Sequence, residues 1–109
     1  MNLSDDLAAY NNDRADAHEN GLPALRRLAE VAWGDSGQAR IVGRFLLGPY
    51  NGRAFPFDMC RLRSLDLKLH QDCLAVLRLD YHPAREVHEY LEDVYALFKH
   101  LRELVEGEQ

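Results

Sequence analysis

From Val87 to Val105 apolar residues return at intervals of four, three, four, three and four: Val87, Leu91, Val94, Phe98, Leu101 and Val105. That period belongs to one face of an α-helix, since strand neighbours alternate between faces. Tyr90, Leu97 and Leu104 widen the stripe, and Glu89, Glu92, Asp93, Lys99, Arg102, Glu103 and Glu106 fall on the opposite side. Pro83 suits a first helical position, where its missing N–H costs nothing, and Gly107 suits an end. The spacing thus predicts one C-terminal amphipathic helix of about 22 residues, wide enough on its apolar side for a bundle or a coiled-coil pair. Such a ridge has to be hidden from water, either on the chain's own body or on a partner.

The body is small. With 109 residues, 47% of them apolar and 28% charged, the chain has the size and composition of one globular domain. Residues 4–19 read as a weak helix, with Ser4 as N-cap and Asp5 and Asp6 in the first turn. Its apolar stripe is thin (Leu3, Leu7, Ala8, Tyr10), so residues 1–20 are expected as a weakly packed helix or arm ahead of a single helical domain at 21–109. Asn20-Gly21 reads as a break. Pro23 then opens a helix over 22–33, with Leu25, Leu28, Ala29 and Ala32 at helical spacing. Ser36 caps the next, 37–47, whose buried face is Ile41, Val42, Phe45 and Leu46, and Gly48-Pro49 is expected to stop it. Residues 48–57, with two Gly, two Pro and an Asn-Gly pair, read as a loop pinned by Tyr50, Phe55 and Phe57, after which Asp58 caps a short turn.

Residues 65–81 admit two readings. Asp66 as N-cap, with Leu67, His70, Cys73, Leu74 and Leu77 at helical spacing, gives a helix. Leu65, Leu67 and Leu69, then Leu77, Leu79 and Tyr81, alternate with polar residues as in a hairpin turned at Gln71-Asp72. The scarcity of β-branched residues favours helix. The expected fold is all-α, four or five helices in a small bundle with a long C-terminal amphipathic helix; the alternative is α+β with a hairpin at 65–81.

The run Gly21-Leu22-Pro23-Ala24-Leu25-Arg26-Arg27-Leu28, then Ser36-Gly37-Gln38, the span 41–47 and Cys73-Leu74-Ala75-Val76-Leu77 resemble a small uncharacterised bacterial family carried on plasmids and integrative elements. The resemblance covers about residues 21–79. It implies a mobile-element genomic context, and it implies helix over 65–81; it assigns no activity and no site.

Chemistry-bearing motifs are sparse. Cys60, His70, Cys73, His82 and His88 lack the Cys-x-x-Cys or paired-His spacing of zinc sites, so neither a metal nor a cofactor is expected. Both cysteines sit among apolar neighbours and are expected to be buried, reduced and inert. There is no nucleophile elbow and no phosphate-cradling glycine loop, and no enzyme is expected. Helices 22–33 and 37–47 flank Gly34-Asp35-Ser36 in the manner of a helix-turn-helix, but Asp35 stands where that motif wants an apolar residue and Arg40 where it buries one.

Net charge is −5 and unevenly spread: residues 1–20 carry a net −4 and residues 40–68 a net +4. Arg40, Arg44 and Arg53 in that basic middle are candidate anion or nucleic-acid contacts, against which the acidic total weighs. No apolar run approaches the ~20 residues of a membrane span and no signal peptide is visible, so a cytoplasmic setting is expected. The favoured function is a small accessory interaction domain that pairs with a second copy or another helical protein. Its interface would be Val87, Tyr90, Leu91, Val94, Leu97, Phe98, Leu101 and Leu104, with Trp33 and the loop aromatics as an anchor patch.

Overall fold

The computed structural model of the chain describes residues 3–82 and 85–107. Four α-helices, α1 (Leu3–Ala32), α2 (Gly37–Tyr50), α3 (Leu67–Tyr81) and α4 (Val94–Gly107), are joined through two 3-10 turns, Met59–Ser64 and Val87–Tyr90. No strand occurs among the described residues, so the bundle is all-α and the hairpin at 65–81 is replaced by α3. Capping residues mark the starts. Ser36 Oγ accepts from Ala39 N–H at 3.0 Å, Asp66 Oδ1 from Leu69 N–H at 3.0 Å, and Asp58 Oδ1 from Cys60 N–H at 2.9 Å. One core gathers Leu25 and Leu28 of α1, Val42 and Leu47 of α2, Cys73, Val76 and Leu79 of α3, and Leu97, Phe98 and Leu101 of α4.

α1 and α3 form the backbone of the bundle. Gly21 faces Ala75 and Leu79, Arg27 faces Asp72, and Asp13 faces Arg78 and His82, so the two helices run antiparallel. This pairing overturns the break expected at Asn20-Gly21. A Cβ at position 21 would lie 2.8 Å from Leu79 Cβ and 3.1 Å from the Ala75 carbonyl oxygen. Glycine is there to let two helices touch, and it does so in a helix with no positive φ. Pro23, inside the same helix, leaves the Glu19 carbonyl without its usual donor. Burial of Ala24, Leu25 and Leu28 immediately afterwards holds the helix through that gap.

An ion pair with a buried carboxylate also joins α1 to α3. Arg27 donates to both Asp72 oxygens, at 3.0 and 2.9 Å, and Lys68 approaches at 3.4 Å. Burial pushes the Asp72 carboxyl up, but the hydrogen bonds and charge of Arg27, joined by Lys68, outweigh it and hold the group below its usual range.

Two further expectations are corrected. α2 does not stop at Gly48-Pro49 but runs to Tyr50: the Asn51 N–H reaches the Leu47 carbonyl at 2.9 Å, carrying the ladder past the proline. Asn51 then builds the loop, accepting from Phe55 N–H on its carbonyl and from Ala54 N–H on its side chain. The second correction concerns the long C-terminal helix, which is not continuous. The chain makes a 3-10 turn at Val87–Tyr90, extends through Leu91, and turns with Asp93 at φ 52° before α4 begins. Aspartate is among the few residues that tolerate that left-handed conformation.

The break has a packing cause. Val87 enters the core, Tyr90 sits edge-on to His18 of α1, and His88 sits edge-on to Tyr50 at the end of α2. α4 then runs back along α2, with Phe98 on Tyr50 and Leu101 on Gly43. A straight helix would hold Val87 about 10 Å along the axis from Val94, and could not serve both places. Pro83, expected to open this helix, lies outside the described residues.

Candidate interaction surface

α1 is 30 residues long, about 45 Å, and α3 covers only its second half. Its buried positions are Ala17, Gly21, Ala24, Leu25, Leu28 and Ala32. The same three-and-four spacing, continued toward the N-terminus, reaches Tyr10, Leu7 and Leu3, which are 43, 58 and 83% exposed. The core stripe therefore continues off the end of the body, and every residue from 3 to 16 is exposed. We refer to residues 3–16 as the limb.

The limb is fastened at its root. Asp13 accepts from Arg78 at 2.5 Å and pairs with His82 Nε2 at 2.6 Å, and Tyr10 lies edge-on to the His82 ring with centroids 4.7 Å apart. The hydrogen bond from His82 first, and then that from Arg78, hold the Asp13 carboxyl below its ordinary range. His82 itself is buried at the end of α3, so the bond ties an exposed helix to a fixed point of the core.

The opposite end carries charges of both signs. Gln38 Oε1 accepts from Asp66 N–H at 2.8 Å, which joins the start of α3 to the start of α2, and Gly34 brings the end of α1 against Ala39. Arg40, Arg61, Arg63 and Lys68 lie there together with Asp35, Asp58 and Asp66, and all are exposed. The same end exposes Met59 and Leu67, at 59 and 72%.

Of the interface residues expected from the C-terminal stripe, Val87, Leu97, Phe98 and Leu101 are buried in the chain's own core. Tyr90, Leu91, Val94 and Leu104 are half-buried around its rim. The 3-10 turn and the break spread these eight over two segments, so they do not form one continuous ridge. Arg40 and Arg44 flank a narrow cleft against Leu101, Leu104 and Val105. Arg44 is already engaged in an interaction within the chain, and Arg53 sits exposed in the loop after α2. Trp33 is 48% exposed and stacks on His100 at 4.8 Å, whereas Phe55 and Phe57 are packed against the core. Trp33 also borders a groove of about 290 Å³ with Arg26, Glu30, Tyr90 and Leu91.

Cys73 is buried, its thiol pushed up to about 12 by burial and then by the charge of Asp72. Cys60 is exposed, contrary to its apolar sequence neighbours, because it lies in the 3-10 turn whose inward residue is Leu62. Among the described residues no three His, Cys, Asp or Glu side chains converge in a way that could hold a metal ion. No helix among them is long and apolar enough to cross a membrane.

A family of unknown function, DUF7673, has a family model that matches residues 22–105. The chain belongs to DUF7673. The match runs from Leu22 in α1 to Val105 in α4, so it takes in most of the core and leaves residues 3–21, with the limb, Ala17 and Gly21, outside. It overlaps the stretch of resemblance at 21–79 and supports an uncharacterised domain family. No curated protein and no solved structure matches this DUF7673 chain at a significant level.

Sequence reasoning names Leu3, Leu7 and Tyr10 but reads them as a thin stripe, because it ends that helix at residue 19. Read through Gly21, they are in phase with Ala17, Ala24 and Leu28, and that phase is the available signal. Met59 and Leu67 carry no such signal, since their exposure depends on how the 3-10 turn and the first turn of α3 are oriented.

Proposed function

We propose that this DUF7673 chain is a non-catalytic accessory domain that self-associates through the limb of α1, in place of the C-terminal ridge. One observation carries the reading: a core-type apolar stripe continues past the body on a helix fastened at its root. Apolar side chains scattered singly over a surface need no explanation. Here Leu3, Leu7 and Tyr10 share one helical face with the core stripe, and an amphipathic helix face is a common docking element. The ion-pair root at Asp13 fixes the direction of the limb and so lowers the entropy lost on docking. A setting on plasmids or integrative elements, which the sequence resemblance implies, is part of this reading.

Light scattering of the wild type and of a Leu3→Glu, Leu7→Glu variant tests it. The wild type is expected to rise above the 12.5 kDa chain mass with concentration, and the variant to stay at it. A wild type that keeps the single-chain mass from about 1 to 100 µM overturns the proposal.

A further inference from the structure

Sequence and structure disagree over residues 87–93. From Val87 to Glu106 there is no glycine and no proline, and the apolar period is that of one helix. The chain nevertheless breaks there, with a 3-10 turn at Val87–Tyr90, an extended Leu91 and a left-handed Asp93 at φ 52°. We infer that residues 87–93 are a two-state hinge, which exchanges the docked turn for a straight form in which one helix runs from Val87 to Gly107. In that form Val87, Leu91 and Val94 extend the line of Phe98, Leu101 and Val105, and the apolar ridge becomes continuous. The hinge is independent of the limb's self-association.

The docked turn is held less well than the rest of the fold. Asp93 is the one non-glycine residue with positive φ among those described, and a left-handed aspartate stores strain that a helical one does not. A short 3-10 stretch interrupting a helix is itself a common mark of a hinge. The turn also starts without a side-chain cap at Glu86, whereas Ser36, Asp58 and Asp66 each cap the element that follows them. Its lateral contacts are ring edges: Tyr90 on His18 with centroids 5.9 Å apart, and His88 on Tyr50 at 5.1 Å. At those contacts His18 Nε2, His88 Nδ1 and Tyr90 Oη are buried with no hydrogen-bond partner in the chain. An unmet buried polar atom costs stability that opening returns. Against all of this stands Val87, 4% exposed, which leaves the core when the helix straightens. One buried valine set against one strained residue and three orphaned atoms is a close balance, so both forms are populated.

Position 93 sets the balance. Glycine takes the left-handed conformation freely and weakens a helix, whereas alanine does the reverse. Asp93→Gly is therefore expected to lower the straight population roughly tenfold, and Asp93→Ala to raise it roughly tenfold. Tyr90→Phe, which removes an orphaned hydroxyl from the docked turn, should lower it as well. NMR reads wild type and all three variants. Ring contacts between His18 and Tyr90 and between His88 and Tyr50 report the turn, Cα shifts over 87–93 report helix, and relaxation dispersion reports exchange between them. Wild type should show exchange confined to 87–94, unchanged by dilution, with helical shifts in its minor form. Asp93→Ala should weaken the ring contacts and move the shifts of 91–93 toward helix. If that variant leaves contacts, shifts and exchange as in wild type, or turns the segment to random coil, the hinge is overturned. Should it fail to fold, the wild type decides: a helical minor form upholds the hinge, and flat dispersion over 87–94, or exchange that scales with concentration, overturns it.

Discussion

Replacing Gly21 by alanine separates two opposed effects that the structure places at one atom. In a helix interior alanine is favoured over glycine by about 1 kcal/mol, so a solvent-facing Gly21 would give a more stable protein. The added methyl instead meets Leu79 Cβ at 2.8 Å and the Ala75 carbonyl at 3.1 Å. Carbon atoms rest at about 3.5–4.0 Å, so α3 would have to retreat by roughly 0.7 Å or more. Neither neighbour is the free end of a side chain, and overpacking of this kind costs about 1–3 kcal/mol. The net expectation is a loss of about 1–2 kcal/mol, once the gain in propensity is taken off. Gly43→Ala is the matched comparison: its new methyl meets only Leu101 Cδ2, at 2.6 Å, a terminal methyl that can turn away. That variant should fall within about 1 kcal/mol of wild type. Urea denaturation followed by circular dichroism reads both, through a shift in midpoint at constant slope. Gly21→Ala emerging more stable than wild type would refute the close approach of α1 and α3.

The same contacts set three other expectations. Arg27→Ala strands the buried Asp72 carboxylate and should cost about 2–3 kcal/mol in the same assay, less than for a fully enclosed pair because Arg27 is itself half in water and Lys68 remains nearby. Asp13 has a folded pKa below its ordinary 3.8, so its contribution is complete above that value and disappears as pH falls through the folded one. Protection of the limb amides from hydrogen exchange, taken relative to the intrinsic rate at each pH, should accordingly fall at acid pH, and Asp13→Asn should show the reduced protection at neutral pH as well; protection in Asp13→Asn equal to wild type would count against the fastening. With a thiol reagent under native conditions Cys60 should react at once and Cys73 only on unfolding, and two fast thiols would contradict the buried position of Cys73.

Where local chemistry decides structure, the sequence is readable. Ser36, Asp58 and Asp66 each cap the helical turn that begins beside them, and the sparse β-branched content of 65–81 agrees with the helix found there. The misreadings share one cause. Gly21, Pro23 and Gly48-Pro49 are breakers by propensity, yet packing overrides them: Gly21 because α3 needs the space, Pro23 because buried residues come directly after it, Pro49 because Asn51 resumes the ladder. The reverse holds at 91–93, where an unbroken periodic pattern conceals a turn. Val87 and Leu101 are both core residues, but the turn that carries Val87 is held at the end of α2 by His88 on Tyr50 while Leu101 packs further back along α2 at Gly43, and periodicity records burial without recording where along the core it occurs. The surface is less legible still. Limb exposure depends on α3 ending beside Asp13, and the opposite end is assembled where Gln38 and Asp66 meet across 28 positions.

Sedimentation equilibrium of the unmodified chain tests the central claim most directly. The account predicts a mass that rises with concentration toward twice 12.5 kDa. A mass of one chain at every concentration would contradict it.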